Sequence, residues 1–169
     1  MKIYTYGNPV LRKKAKSVQH FDLELKRLCK DMLKAMHNSQ PRGVGLAAPQ
    51  VGISLRLIVV EHQPGNVKCL ANPEILSSEG NQIDTEGCLS VPGVYANVKR
   101  ADRILVRAID PETHARKEFY ASGFLSRIIQ HEIDHLDGVM FTDYFDDLSS
   151  FDFSEDVAIP EALLKRYQK

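Results

Sequence analysis

Between residues 22 and 38 the chain reads "DLELKRLCKDMLKAMHN", and Leu25, Leu28, Cys29, Met32, Leu33 and Met36 recur at steps of three and four. Each helical residue advances about 100°, so this spacing gathers the apolar side chains on one face of an α-helix. Asp22 stands where an N-cap acceptor belongs. The same rhythm returns in Phe124, Leu125, Ile128, Ile129, Ile133 and Leu136, predicting a second helix over 123–136. Ser122 can cap its start, and Gly138 lies just past its end. The β-branched run "RLIVVE" (56–61) predicts a buried strand. "CLANPEIL" (69–76) reads as strand, Asn-Pro interruption, strand. "RILVRAID" and "RKEFYAS" flank "PETH" as an antiparallel hairpin. "RGVGLAAPQVG" (42–52) carries three glycines and a proline, which exclude a regular helix and let backbone approach a ligand closely.

These elements do not alternate strictly as strand–helix–strand. The expected class is therefore α+β, with one central helix packed against small antiparallel or mixed sheets in a single domain over 1–169. The tail differs in composition. Between residues 143 and 161 there are seven acidic residues and no lysine or arginine, so 145–160 reads as a solvated acidic connector. A short C-terminal helix over 161–169 follows it.

Lysines plus arginines number 22 and aspartates plus glutamates 22, so no overall field points to nucleic acid or an anionic membrane as partner. No apolar run approaches the roughly 20 residues of a bilayer span. The N-terminal stretch "MKIYTYGNPVLRKKAKSV" lacks the apolar core of a secretory signal, so the cytoplasm is the expected address. Three cysteines at wide, irregular spacing do not suggest a disulfide framework. Cys29, on the apolar stripe, reads as a core side chain.

The segment "IIQHEIDHLDG" (128–138) carries chemistry. On a helix, His131 and His135 lie one turn apart and about 40° round, so their imidazoles can converge on one ion. Glu132 points about 100° away, where it can reach a water beside the ion and act as general base. A catalytic metal takes three protein ligands and keeps one position open. Phe141 stands where the longer metalloprotease pattern needs a third histidine. Glu155 and Glu161, the downstream acidic candidates, lie in the tail. Upstream, "TEGCLSVPG" holds Cys88 between Gly87 and Leu89, in a loop that can bring a thiolate against a metal. Cys88, His131 and His135 then make a Cys-His-His site with one open position.

"GVGLAAPQ" (43–50), "EGCLS" (86–90) and "QHEIDH" (130–135) resemble, in order and spacing, the three signature motifs of peptide deformylase. The resemblance runs from about Tyr4 to Tyr144. It implies removal of the formyl group from N-formylmethionyl nascent peptides, with transient ribosome contact. It also implies metal ligation by Cys88, His131 and His135, with Glu132 as catalytic acid/base. Gly45, Gln50 and Leu89 match positions that hold the reacting carbonyl. The implied ion is Fe(2+), one per chain, with zinc, nickel or cobalt able to substitute. Val44, Ile128 and Ile129, beside the motifs, are candidates for the methionine pocket, and ordinary core is the other reading of each. Tyr95 stands where many members of the family carry an arginine.

Two rival readings predict different structures. A metallopeptidase would take its third ligand from the tail. A closed, non-catalytic metal module would add a fourth ligand such as His62 or His114.

Overall fold

Helix α1 (Leu23–Asn38) begins where the pattern places it, with the Asp22 carboxylate accepting the Leu25 N–H at 3.0 Å. The protein is described by a computed structural model covering residues 1–168. Leu25, Met32 and Met36 of α1 are buried, and Leu28, Cys29 and Leu33 pack beside them. Strands β1 (Gly45–Ala47), β2 (Leu57–Gln63) and β3 (Asn66–Glu79) follow. Then come β4 (Gln82–Cys88), β5 (Val91–Arg100), β6 (Arg103–Ile109) and β7 (Arg116–Ser122). Helix α2 (Gly123–Leu136) succeeds them, and β8 (Phe151–Phe153) and α3 (Glu161–Arg166) close the fold.

Two antiparallel sheets result, one ordered β1-β2-β3-β6-β7 and one ordered β4-β5-β8. The run Leu57 to Val60 explains why the larger sheet is buried on both faces. Successive strand residues point to opposite faces. Leu57 and Val59 join the α1 cluster, whereas Ile58 and Val60 join Ile128, Ile129, Ile133 and Leu136 of α2. An antiparallel sheet sandwiched between two helices thus carries an unbroken apolar strand. The predicted hairpin is β6–β7, in register from Arg103↔Ser122 to Ile109↔Arg116. The α+β class and the central helix stand as expected.

Four expectations need correcting. The Asn-Pro interruption is a bulge within the continuous strand β3, where the register shifts between Ala71 and Glu74. Asn72 there has φ 51, a left-handed conformation asparagine tolerates, and its amide exchanges hydrogen bonds with the Val18 backbone at 2.7 and 3.0 Å. Ser122 occupies the N-cap position of α2 but makes no side-chain capping bond.

Cys29 and Cys69 are joined as a disulfide, their Cα atoms 6.4 Å apart. Cys69 pairs with Val59 across β2–β3, and cross-strand partners share a face, so it turns toward α1. That relationship comes from sheet register, which sequence spacing does not reveal.

The acidic tail is not all solvated connector. Phe151 is buried, and β8 pairs antiparallel with Val94–Ala96 of β5. Leu163 of α3 is fully buried, and the Tyr167 hydroxyl donates to the Thr142 carbonyl at 2.7 Å. Aromatic side chains alternating with aspartates, "FDF", allow one strand face to bury while the other stays charged. Residue 169 of the predicted 161–169 helix lies outside the described residues.

Candidate active site

Helix α2 runs beneath the larger sheet and presents His131, Glu132 and His135, all buried, toward the end of β4. Cys88 closes β4 at an irregularity in the β4–β5 register, between Glu86 and Cys88. The ligand atoms of Cys88, His131 and His135 all lie within 4.8 Å of one another, the only such cluster of three among the described residues. The Cys88 Sγ and His135 Nε2 are 3.3 Å apart. Donors about 2.0–2.3 Å from one tetrahedral ion stand roughly 3.5 Å from each other, so this set fits a metal. Phe141 stacks on the His131 ring at 6.0 Å between centroids rather than supplying a ligand. His62 and His114 lie in tilted ring contact with Phe124 and Phe21, outside the cluster. Glu155 and Glu161 are exposed in the tail and also lie outside it.

A buried ionic network sets the orientation of His131. Its Nδ1 lies 2.8 Å from Glu86 Oε1, which leaves Nε2 for an ion. Glu86 also accepts two hydrogen bonds from Arg100, each 2.8 Å, and one from Arg127 at 2.5 Å. Arg100 reaches Asp134 at 2.7 Å, so two carboxylates balance two guanidinium groups. Burial raises the Glu86 pKa, but the bonds from Arg100 and His131 prevail and hold it down at about 2. Burial disfavours a charged His131, yet Glu132, Cys88 and Glu86 outweigh it and raise its pKa well above the usual histidine value. Surroundings that retain a proton there also suit a cation. His135 goes the other way, driven well below that value by burial first and then by the His131 and Arg100 charges.

The sequence motifs gave no role to this network. Its available signal was Arg127, a lone cation embedded in the apolar stretch of α2.

Glu132 is 4 % exposed, and its Oε1 has no hydrogen-bond partner among the described residues. Burial above all raises its carboxyl pKa to about 7. Gly45 lies against it: a Cβ at that position would stand 2.5 Å from Glu132 Oε2 and 2.8 Å from Ile128 Cγ2. Only glycine leaves that carboxylate its place. Gln50 lies in the 3-10 turn Ala48–Val51 and is 1 % exposed. Its Oε1 accepts the Ala47 N–H at 2.9 Å, which turns Nε2 toward Ser90 Oγ at 3.1 Å and Cys88 Sγ at 3.6 Å. The Leu89 N–H forms no hydrogen bond among the described residues, while its side chain packs by Gly43.

These groups open on a cleft of about 240 Å³ lined by Val44, Gly45, Gln50, Cys88, Leu89, Ile128, His131 and Glu132, among others. One water's share of liquid is about 30 Å³, so the cleft holds a substrate-sized group rather than a single trapped solvent molecule. Val44 and Ile128 line it. Ile129 does not: it is fully buried in the core against the sheet. Ile128 and Ile129 lie about 100° apart round the helix, and that step turns Ile129 toward the sheet. Phe124 and Tyr95, which the motifs did not assign to the pocket, also contribute to the wall.

A sequence model of the polypeptide deformylase family matches residues 1–151. The peptide deformylase of Dictyoglomus turgidum is 48% identical over 143 residues, 85% of this chain and 91% of that protein. That of Dictyoglomus thermophilum is 49% identical over 137 residues, covering 81% and 87% respectively. A crystal structure of a peptide deformylase from Legionella pneumophila superposes with a TM-score of 0.83 at 43% identity, covering 88% of each chain.

Proposed function

The chain belongs to the polypeptide deformylase family, metal-dependent hydrolases that remove the N-formyl group from nascent peptides, and on that premise we propose the role of each side chain in its site. Cys88, His131 and His135 would hold one Fe(2+) per chain, with zinc, nickel or cobalt able to take its place. The observation that carries this is the convergence of one sulfur and two imidazoles beside a buried, unpartnered carboxylate oxygen. A thiolate with two imidazoles suits zinc and iron alike.

When bound, the ion would supply Lewis acidity, which lowers a neighbouring water's pKa toward neutrality. Glu132 takes the proton of the attacking water on its unpartnered Oε1. It then delivers that proton to the methionine nitrogen as the carbon–nitrogen bond breaks, releasing formate and a free amine. A carboxyl pKa near 7 serves both halves of this transfer, because it accepts and gives protons with little bias at cellular pH. Gln50 Nε2 and the Leu89 N–H donate to the formyl oxygen as it gains negative charge. Removing one such donor typically costs about 2.7–4 kcal/mol in the barrier.

Val44 and Ile128 flank the methionine side chain. Strands β1 and β4 each end a sheet and line the same cleft, so their free edges suit an extended peptide between them. The site operates within one catalytic domain, acting in the cytoplasm on chains in transient contact with the ribosome. Neither nucleic acid nor a membrane enters the proposal, and no described helix is long and apolar enough to cross a membrane.

Hydrolysis of formyl-Met-Ala-Ser by the wild type and Glu132→Ala, each with metal content measured, tests the assignment. The expected result is a metal-loaded, folded variant with turnover reduced about 10²–10⁴-fold. Unchanged turnover in that variant would remove Glu132 from the chemistry.

A further inference from the structure

Besides His131, four side chains that line the cleft carry formal charge: Arg42, Glu86, Arg127 and Glu132. The last three are buried. Arg42 alone is exposed, its side chain 57% accessible, so the rim presents one cation to whatever leaves the cleft.

This guanidinium is anchored. Its Nη2 donates to Glu61 Oε1 at 2.7 Å, and His37 Nε2 lies 3.1 Å from the same oxygen. Glu61 is 8% exposed, and its N–H donates to the Val44 carbonyl at 2.8 Å, fastening the 42–45 stretch from below. Burial works against the Glu61 charge, but hydrogen bonds from Arg42 and His37 prevail and keep the carboxyl below its usual range. The anchor engages one of five guanidinium N–H donors. The rest of the planar fork has no partner among the described residues, and that fork matches a carboxylate through two parallel bonds.

Position along the chain indicates which part of a substrate meets it. Gly45 lies against Glu132, and Arg42 stands three residues back toward the rim, at most roughly 10 Å along the backbone. A peptide following that edge outward from its formyl group brings its second or third residue to this distance. We propose that Arg42 is a specificity determinant that favours formyl peptides bearing an acidic side chain at their second or third residue. The inference rests on the deformylase reading of the site and adds a preference to it.

The test compares kcat/KM for formyl-Met-Asp-Ser with formyl-Met-Lys-Ser, and for formyl-Met-Ala-Asp with formyl-Met-Ala-Lys. Wild type, Arg42→Gln and Arg42→Glu are measured with formyl-Met-Ala-Ser as the neutral reference. Each acid-to-base ratio comes from one protein sample, so a general loss of activity cancels. Exposed charge pairs are weak, so the wild-type ratio for at least one pair should be about three- to tenfold, reside in KM, and shrink in 0.5 M salt. Arg42→Gln should bring it near one, and Arg42→Glu should invert it. A ratio that both variants leave unchanged, including uniform loss on every peptide, overturns the role of Arg42 while leaving deformylation intact. Wild-type protein that hydrolyses no formyl peptide brings down both readings.

Discussion

Glu86 Oε1 stands 2.8 Å from His131 Nδ1, so a carboxylate two residues before one proposed metal ligand, Cys88, orients a second proposed ligand 45 residues later. The same carboxylate is gripped by Arg100 and Arg127, which couples the lie of the imidazole to the pairing of β4, β5 and α2. Replacing Glu86 with Ala leaves two buried arginines short of a counter-charge. Breaking a buried pair in this way costs about 3–5 kcal/mol, which denaturant unfolding of the wild type and variant will read. Glu86→Gln keeps the volume and should instead weaken cobalt binding about 10–100-fold, measured by spectroscopic titration. Unaltered cobalt affinity would confine Glu86 to holding the fold.

Iron bound beside a thiolate should make the enzyme sensitive to oxygen. Protein loaded anaerobically with Fe(2+) is expected to lose activity on exposure to air. Samples loaded with nickel or cobalt should keep theirs over the same period. The check is a time course of turnover for each loaded form, and equal decay of all three would count against an iron–thiolate centre.

Asp143 joins both ends of the chain. It receives Arg12 at 2.6 and 3.1 Å, Arg166 at 2.6 Å, and the Met140 N–H at 3.0 Å. Burial raises its pKa, but these donors prevail and hold the carboxyl below its usual value. A carboxyl depressed on folding gives stability that is complete above its unfolded pKa of about 3.9. That stability is lost as pH falls through the folded value. Asp143→Asn should therefore cost about 1–2 kcal/mol at pH 7, and the gap from wild type should close below about pH 4. Chemical unfolding across pH 2.5–7 measures it; a gap independent of pH would show that the charge contributes nothing.

The legible parts of this molecule were those in which local periodicity coincides with burial. Met32 and Met36 in α1, and Ile133 and Leu136 in α2, were set on their faces by helical spacing alone. The convergence of Cys88, His131 and His135 was legible because two histidines one turn apart demand a partner and only one cysteine was free of an apolar pattern. What stayed hidden depends on contacts between distant segments. The partner of Cys29 follows from the register that sets Cys69 opposite Val59. An arginine at position 127 ordinarily reads as a solvent-facing break, and its burial makes sense only once Glu86 is known to face it. Ile129 adjoins Ile128 in sequence and shares its core cluster, yet only Ile128 lines the cleft.

Because Cys29 and Cys69 are committed to each other, Cys88 is the only unpaired sulfhydryl among the described residues. Alkylation of the native enzyme therefore doubles as a gauge of cofactor loading. A fluorescent maleimide should label one site per molecule after chelation and close to none before it, without any substrate being present.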